Sequence, residues 1–118
     1  PCHVTATVDK LINGNYDAVW TVNPTDPKYH PLKQLQLQNG IATFYDPKGK
    51  SIIARQQLSQ LYHRNGAAYA MTRDCILEKK SIMGKRLSAV VIEEIMVSID
   101  TEYDIELCEK LMRERFSN

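Results

Sequence analysis

The chain reads as an α/β fold, and three features of its 118 residues predict it. Apolar positions recur with helical spacing at both ends. A β-prone run follows the first helix directly, the order expected in a layered α/β architecture. Near the middle, an Asn-Gly pair separates two partly apolar runs, which is a strong short-range hairpin signal.

The bulk properties narrow the function classes. A length of 118 residues fits one domain. A hydrophobic fraction of 43% and a charged fraction of 25% are those of an ordinary globular chain. The formal charge of +1 argues against nucleic acid as a partner, because that footprint needs clustered Lys and Arg. No apolar run approaches the roughly 20 residues that span a bilayer, so no membrane is expected. Cys2, Cys75 and Cys108 make no CxxC or Cys/His spacing; their scatter suits a reduced, cytoplasmic protein. With His3, His30 and His63 equally dispersed, zinc is not expected. The chain opens on Pro1 with no visible signal peptide, which suggests processing or shortening.

Val4, Val8, Leu11 and Ile12 form one apolar helical stripe. Asn13-Gly14-Asn15 stops that helix, with Gly14 suited to a left-handed residue after its end. Ala18 to Val22 is a buried strand, and Trp20 within it is expected in the core. Pro24, Pro27 and Pro31 punctuate a turn-rich segment. Leu35 and Leu37, then Gln38-Asn39-Gly40, then Ile41 to Tyr45 make the hairpin, and Asp46 to Lys50 is an exposed turn. Residues 28–60 thus leave the main layer as a functional or oligomeric excursion. Residues 1–27 end one part of the core, and 61–118 return to it.

Gly66 to Met71 is small and apolar enough for an interior strand. Thr72 caps a helix over 72–80, with Cys75, Ile76 and Leu77 as apolar positions. Gly84-Lys85-Arg86 leads back into a strand at Leu87 to Ile92, and Ile95 to Ile99 is the last strand. Thr101 caps the terminal helix, with Asp104 placed for a capping box. Ile105, Cys108, Leu111 and Met112 form its apolar face, and Glu106, Glu109, Lys110 and Arg113 face solvent.

Two stretches carry chemistry. Arg55 to Tyr69 runs from a cation and an amide through a basic, aromatic turn into a strand, an arrangement suited to an anion. Val97 to Asp104 ends a strand on a carboxylate at a capped helix start. Read alone, Asp100 ends a strand and favours the helix through its charge, Arg55 and Lys33 are solvated, Asn65 shapes a turn, and Tyr69 packs at a half-buried position.

These stretches resemble the acylneuraminate (CMP-sialic acid) cytidylyltransferase family. Arg55, Gln56, Leu58, Tyr62, Asn65, Gly66, Ala67 and Tyr69 match its Arg-Gln-x-Leu-x-x-x-Tyr-x-x-Asn-Gly-Ala-x-Tyr pattern. Ser98-Ile99-Asp100-Thr101 with Asp104 matches its Asp-Ile-Asp-Thr pattern, and His30-Pro31-Leu32-Lys33 matches the entry to its dimerisation excursion. The motifs occur in family order over nearly the whole chain.

The resemblance implies the C-terminal half of a Rossmann-like nucleotidyltransferase fold with a β-hairpin dimerisation excursion, hence a homodimer. The family's Gly/Ser-rich CTP loop has no counterpart here, so this half would not catalyse alone: sugar and CTP must be held together. The implied reaction transfers CMP from CTP to a nonulosonic acid sugar, releasing pyrophosphate. Mg²⁺ is the implied cofactor and Asp100 its ligand. Arg55 and Lys33 would reach towards a neighbouring subunit's anionic substrate, Asn65 and Tyr69 would contact sugar, and Gln56 would support them. Ser98 departs from the family's first acid and weakens two-carboxylate coordination. Ile82 and Met83 stand where the family has paired aromatics, keeping an apolar wall without flat rings. The other readings are a non-catalytic dimerisation or binding module, and a related transferase for a different acid sugar.

Overall fold

A computed structural model describes residues 1–52 and 54–117. Helix α1 (Cys2–Asn13) is followed by strand β1 (Ala18–Pro24). Strands β2 (Leu35–Gln38) and β3 (Ile41–Phe44) come next, then β4 (Tyr62–Met71), α2 (Arg73–Leu77), β5 (Leu87–Val91) and α3 (Glu102–Phe116). Short 3₁₀ turns at Pro27–Tyr29, Pro31–Lys33, Pro47–Ser51 and Arg55–Gln57 punctuate the middle. The fold is therefore mixed α/β. Residues Pro1–Asn23 with Arg64–Asn118 make one compact unit, and Pro24–His63 make a second.

In the first unit the sheet order is β4-β1-β5. β1 and β5 run parallel, with Ala18 opposite Leu87 and Val22 opposite Val91. β4 runs against β1: the Thr72 N–H donates to the Asp17 carbonyl at 3.0 Å, and the Thr25 N–H donates to the Leu61 carbonyl at the other end at 2.8 Å. Ala18, Val19, Val22, Cys75 and Ile92 form the buried apolar core, joined by buried Thr7 and Thr21. β-branched and small residues dominate this core, the composition that packs well on a buried pleated surface.

The α1 stripe is a correction. Val4, Val8 and Ile12 are 53%, 40% and 74% exposed, whereas Thr7 is fully buried. The helix meets β5 through the face beside the predicted one, and Lys10 reaches over to donate its Nζ to the Ala89 carbonyl at 2.7 Å. Thr7 tolerates burial because its hydroxyl donates to the His3 carbonyl at 2.6 Å. Gly14 does end the helix, but with extended backbone (φ −105°), not left-handed. Its glycine is required by closeness: a Cβ there would run into the Tyr16 ring.

Two more expectations change. β4 is an edge strand with mostly exposed residues, not an interior one. Ile95 to Ile99 pairs with no strand among the described residues. Trp20 is half-buried, not core: its Nε1–H donates to the Ile82 carbonyl at 3.0 Å, and an indole must keep that donor satisfied. The predicted 72–80 helix shortens to one turn and a half, still capped by Thr72, whose hydroxyl accepts from Cys75 N–H at 3.1 Å.

In the second unit the hairpin forms as expected. Leu35 faces Phe44 and Gln38 faces Ile41 across Asn39-Gly40. Both turn residues have positive φ, 50° and 79°, the conformation of a type I′ turn and the reason Asn-Gly is preferred there. Leu35 and Leu37 share a ribbon face with Ala42 and Phe44, and both leucines are exposed.

Candidate functional site

In the first unit, Asn65 and Tyr69 project from β4. Asn65 lies in a polar network. Its Oδ1 accepts from Thr21 Oγ1 at 2.7 Å and from Ala67 N–H at 3.0 Å, and its Nδ2 donates to Asn23 Oδ1 at 2.7 Å. Asn23 in turn donates to the carbonyls of Ile92 and Glu94. Thr21 Oγ1 also accepts from Ala68 N–H at 2.9 Å, tying β4 to β1. Sequence reasoning saw Asn65 as turn chemistry or a sugar contact and missed Asn23, which reads as the start of the proline-rich turn. The residues that join Asn23 to Asn65 are 42 apart, and local pattern carries no trace of such a pair.

Tyr69 is 41% exposed and stands edge-on to Trp20, with ring centroids 5.4 Å apart and planes at 85°. The Arg64 guanidinium lies 5.7 Å from the Trp20 ring centroid, within cation–π reach. Trp20, Tyr69 and Arg64 make a half-exposed aromatic and cationic surface. Ile82 is held beside it through its carbonyl's bond from Trp20, and the Ile82 and Met83 side chains are both exposed.

Asp100 precedes α3, and the capping box there forms. Asp104 Oδ2 accepts from Asp100 N–H at 3.0 Å, Thr101 N–H at 2.8 Å and Thr101 Oγ1 at 2.9 Å. Those donors, the Asp100 N–H foremost, hold the Asp104 carboxyl below its ordinary range. Asp104 is thus committed to the helix start, and the exposed Asp100 carboxylate has no partner of its own among the described residues. Ser98, two residues earlier, is also exposed. Among the described residues no three His, Cys, Asp or Glu side chains cluster as a metal cage. One exposed carboxylate is an oxygen donor of the kind a hard cation takes, and it does not by itself make a closed protein site.

In the second unit, Lys33 ends the Pro31–Lys33 turn and is exposed. Buried His30 caps that turn, its Nδ1 accepting from Leu32 N–H at 3.1 Å. Arg55 and Gln56 open the Arg55–Gln57 turn, both exposed. Gln57 closes that turn by accepting from Ala54 N–H at 2.8 Å.

Two further features lie outside the predicted residues. Asp17 at the foot of β1 accepts from Lys79 Nζ at 2.7 Å and from the N–H groups of Lys85 and Arg86 at 2.8 and 2.9 Å. Lys79 foremost, then those backbone donors, holds the Asp17 carboxyl down to about 2, and Asp17 raises Lys79 correspondingly. This staple fastens the 79–86 loop to the sheet. An apolar groove of about 660 Å³ runs between Ile95, Met96, Val97 and the α3 residues Cys108, Leu111 and Met112. None of the predicted site residues lines it, so size alone does not identify it as the chemical site. No helix among the described residues is long and apolar enough to cross a membrane. No family model matches the chain, and no curated protein matches it as a relative.

Proposed function

We propose that this chain supplies the acid-sugar side of a cytidylyltransferase, which moves CMP from CTP to a sialic-type nonulosonic acid and releases pyrophosphate. The observation that carries the reading is the start of α3. There the capping box engages Asp104 and leaves the Asp100 carboxylate exposed, in a motif that resembles the family's metal-binding turn. Exposed Arg55 in its own matching motif supports the same reading.

In this reaction a sugar hydroxyl oxygen bonds to the α-phosphorus of CTP. The bond from that phosphorus to the bridging oxygen breaks, pyrophosphate leaves with the electron pair, and the hydroxyl proton passes to solvent. Asp100 would hold Mg²⁺, which when bound would supply charge neutralisation at the phosphates. Arg55 and Lys33 would reach the anionic substrate of a neighbouring subunit, Arg55 bidentately and Lys33 as a point charge. Asn65 and Tyr69 orient the sugar, and Gln56 supports Arg55. The CTP grip comes from outside these residues, in a Rossmann-like whole, and the exposed Leu35 and Leu37 face of the hairpin meets its counterpart in a homodimer in the cytoplasm.

The test is pyrophosphate release from CTP with a sialic-type acid and Mg²⁺, with the CTP-binding polypeptide present. Asp100→Ala and Arg55→Ala should each lower kcat/KM at least about 100-fold, the scale of losing a charge-assisted contact in the transition state. Near-normal turnover in both variants sinks the site assignment. A second reading, a non-catalytic dimerisation module of the same fold, is favoured by Ser98 in place of an acid. It predicts a stable dimer that binds neither CTP nor acid sugar in calorimetry, and binding of either removes it.

A further inference from the structure

The Asn23 carboxamide has no freedom in how it faces. Its Nδ2 lies 2.5 Å from the Ile92 carbonyl and 2.9 Å from the Glu94 carbonyl, and both oxygens can only accept. Both Nδ2 hydrogens are therefore committed, and Oδ1 must point at Asn65. That oxygen can only accept, so Asn65 must present Nδ2 to it, at 2.7 Å. Asn65 Oδ1 then faces the opposite way, where the Ala67 N–H at 3.0 Å independently demands an acceptor. The orientation of each amide is dictated from both ends of the chain of bonds. One Asn65 hydrogen remains without a partner among the described residues, and Asn65 is only half-buried.

We propose that Asn23 is a positioning residue for the acid-sugar site. It aims the remaining Asn65 N–H outward from β4 and, through the same carboxamide, fixes the 92–94 turn from which the segment carrying Asp100 departs. The inference rests on the transfer reaction proposed above for its functional consequence, but its structural content is independent of that reaction. Asn23 need not touch substrate. It acts by making the β4 end and the start of the Asp100 segment one unit, because a shift at either end breaks a bond the other requires.

The substitutions separate its two connections. Asn23→Asp keeps an acceptor for Asn65 but loses both donors to Ile92 and Glu94. Asn65→Asp keeps the acceptor for Ala67 and Thr21 but loses the donor to Asn23. Asn65→Ala removes every side-chain contact to the network without touching residues 92–94 directly.

The experiment has two arms. In ¹H–¹⁵N spectra of the chain, Asn65→Ala should displace the backbone amides of Glu93 and Ile95, and Asn23→Ala should displace the same signals together with the Asn65 carboxamide pair. If Asn65→Ala leaves the 93–95 amides at their wild-type positions, the relay is refuted. Where Asn23→Ala fails to fold, Asn23→Asp gives the same reading through the 93–95 amides alone. In the transfer assay, Asn23→Ala should raise the acid-sugar KM about tenfold, the scale of its one bond to Asn65, with a smaller rise in the CTP KM through the Asp100 segment. The Asn23→Ala/Asn65→Ala pair should fall short of the sum of the two single effects, because the two variants share the Asn23–Asn65 contact. Equal rises in both KM values, or full additivity, would show a general loss of structure and overturn the role. A wild-type protein that transfers no CMP refutes the proposed reaction, and the spectral arm still decides the positioning.

Discussion

Two threonines, Thr7 and Thr21, are fully buried among the described residues, and the same substitution at each should give different results. Thr21 Oγ1 accepts from the Ala68 N–H at 2.9 Å and donates to Asn65 Oδ1 at 2.7 Å. Thr21→Val keeps the shape and leaves the part-buried Ala68 N–H without this acceptor. An orphaned donor of that kind costs about 1–3 kcal/mol. Unfolding entropy of about 2.1 cal/mol/K per residue, over 118 residues, gives roughly 0.25 kcal/mol/K, so Tm should fall by about 4–12 °C. Thr7 differs because its hydroxyl adds a second bond, at 2.6 Å, to the His3 carbonyl. In a helix that carbonyl already accepts the backbone N–H of the same residue. Thr7→Val therefore orphans nothing and should stay within about 0.5 kcal/mol of the parent, with valine's poorer fit to a helix offset by an easier burial. Urea unfolding at unchanged m measures both. Equal losses in the two variants would refute the argument that unsatisfied donors, and not lost hydroxyl bonds as such, set the penalty.

Other outcomes follow from the same geometry. The Asp17 carboxyl sits at about 2 in the folded chain against an ordinary 3.8, so its stabilising contribution is complete above about pH 4 and drains away as the pH falls towards 2. Asp17→Asn should flatten the dependence of the urea midpoint on pH in that window, and an unchanged acid slope would show that Lys79 and the Lys85 and Arg86 N–H groups do not stabilise the carboxylate. Thr101→Ala removes a cap on α3 and should cost that helix about 1 kcal/mol, seen as about fivefold faster amide exchange in its first turn. Unaltered exchange there would mean that Asp104 alone sustains the start.

Much of this was legible from local signals, because those signals are themselves the cause. Asn39-Gly40 forms its turn since both residues tolerate positive φ, and Thr101 with Asp104 closes its box within four residues. Where a neighbour decides, the sequence misleads. The spacing of Val4, Val8 and Ile12 marks an apolar face but cannot say what covers it, and β5 takes the adjacent face at Thr7. Ile95 to Ile99 has strand-like side chains, yet a strand exists only beside another. Gly14 was readable as a stop and not as a close contact with Tyr16. Asp100, Arg55 and Lys33 stand out in the sequence only through motif order, and each is exposed. Asn23 was invisible because its two connections reach 42 and 69 residues ahead.

The bond from Lys10 to the Ala89 carbonyl bears on how this chain avoids its own kind. β5 closes one side of the sheet order β4-β1-β5, and a bare closing strand is a template on which another chain can add its own backbone. An ammonium group seated on that carbonyl must be displaced, and rehydrated, before an incoming strand can bond there. Replacing Lys10 by alanine should leave the folded chain intact and shorten the lag before fibres appear in concentrated solution. An unchanged lag would locate the protection elsewhere. On the shortened-lag outcome Lys10 serves the solubility of a sheet whose β1–β5 ladder is made by backbone pairing.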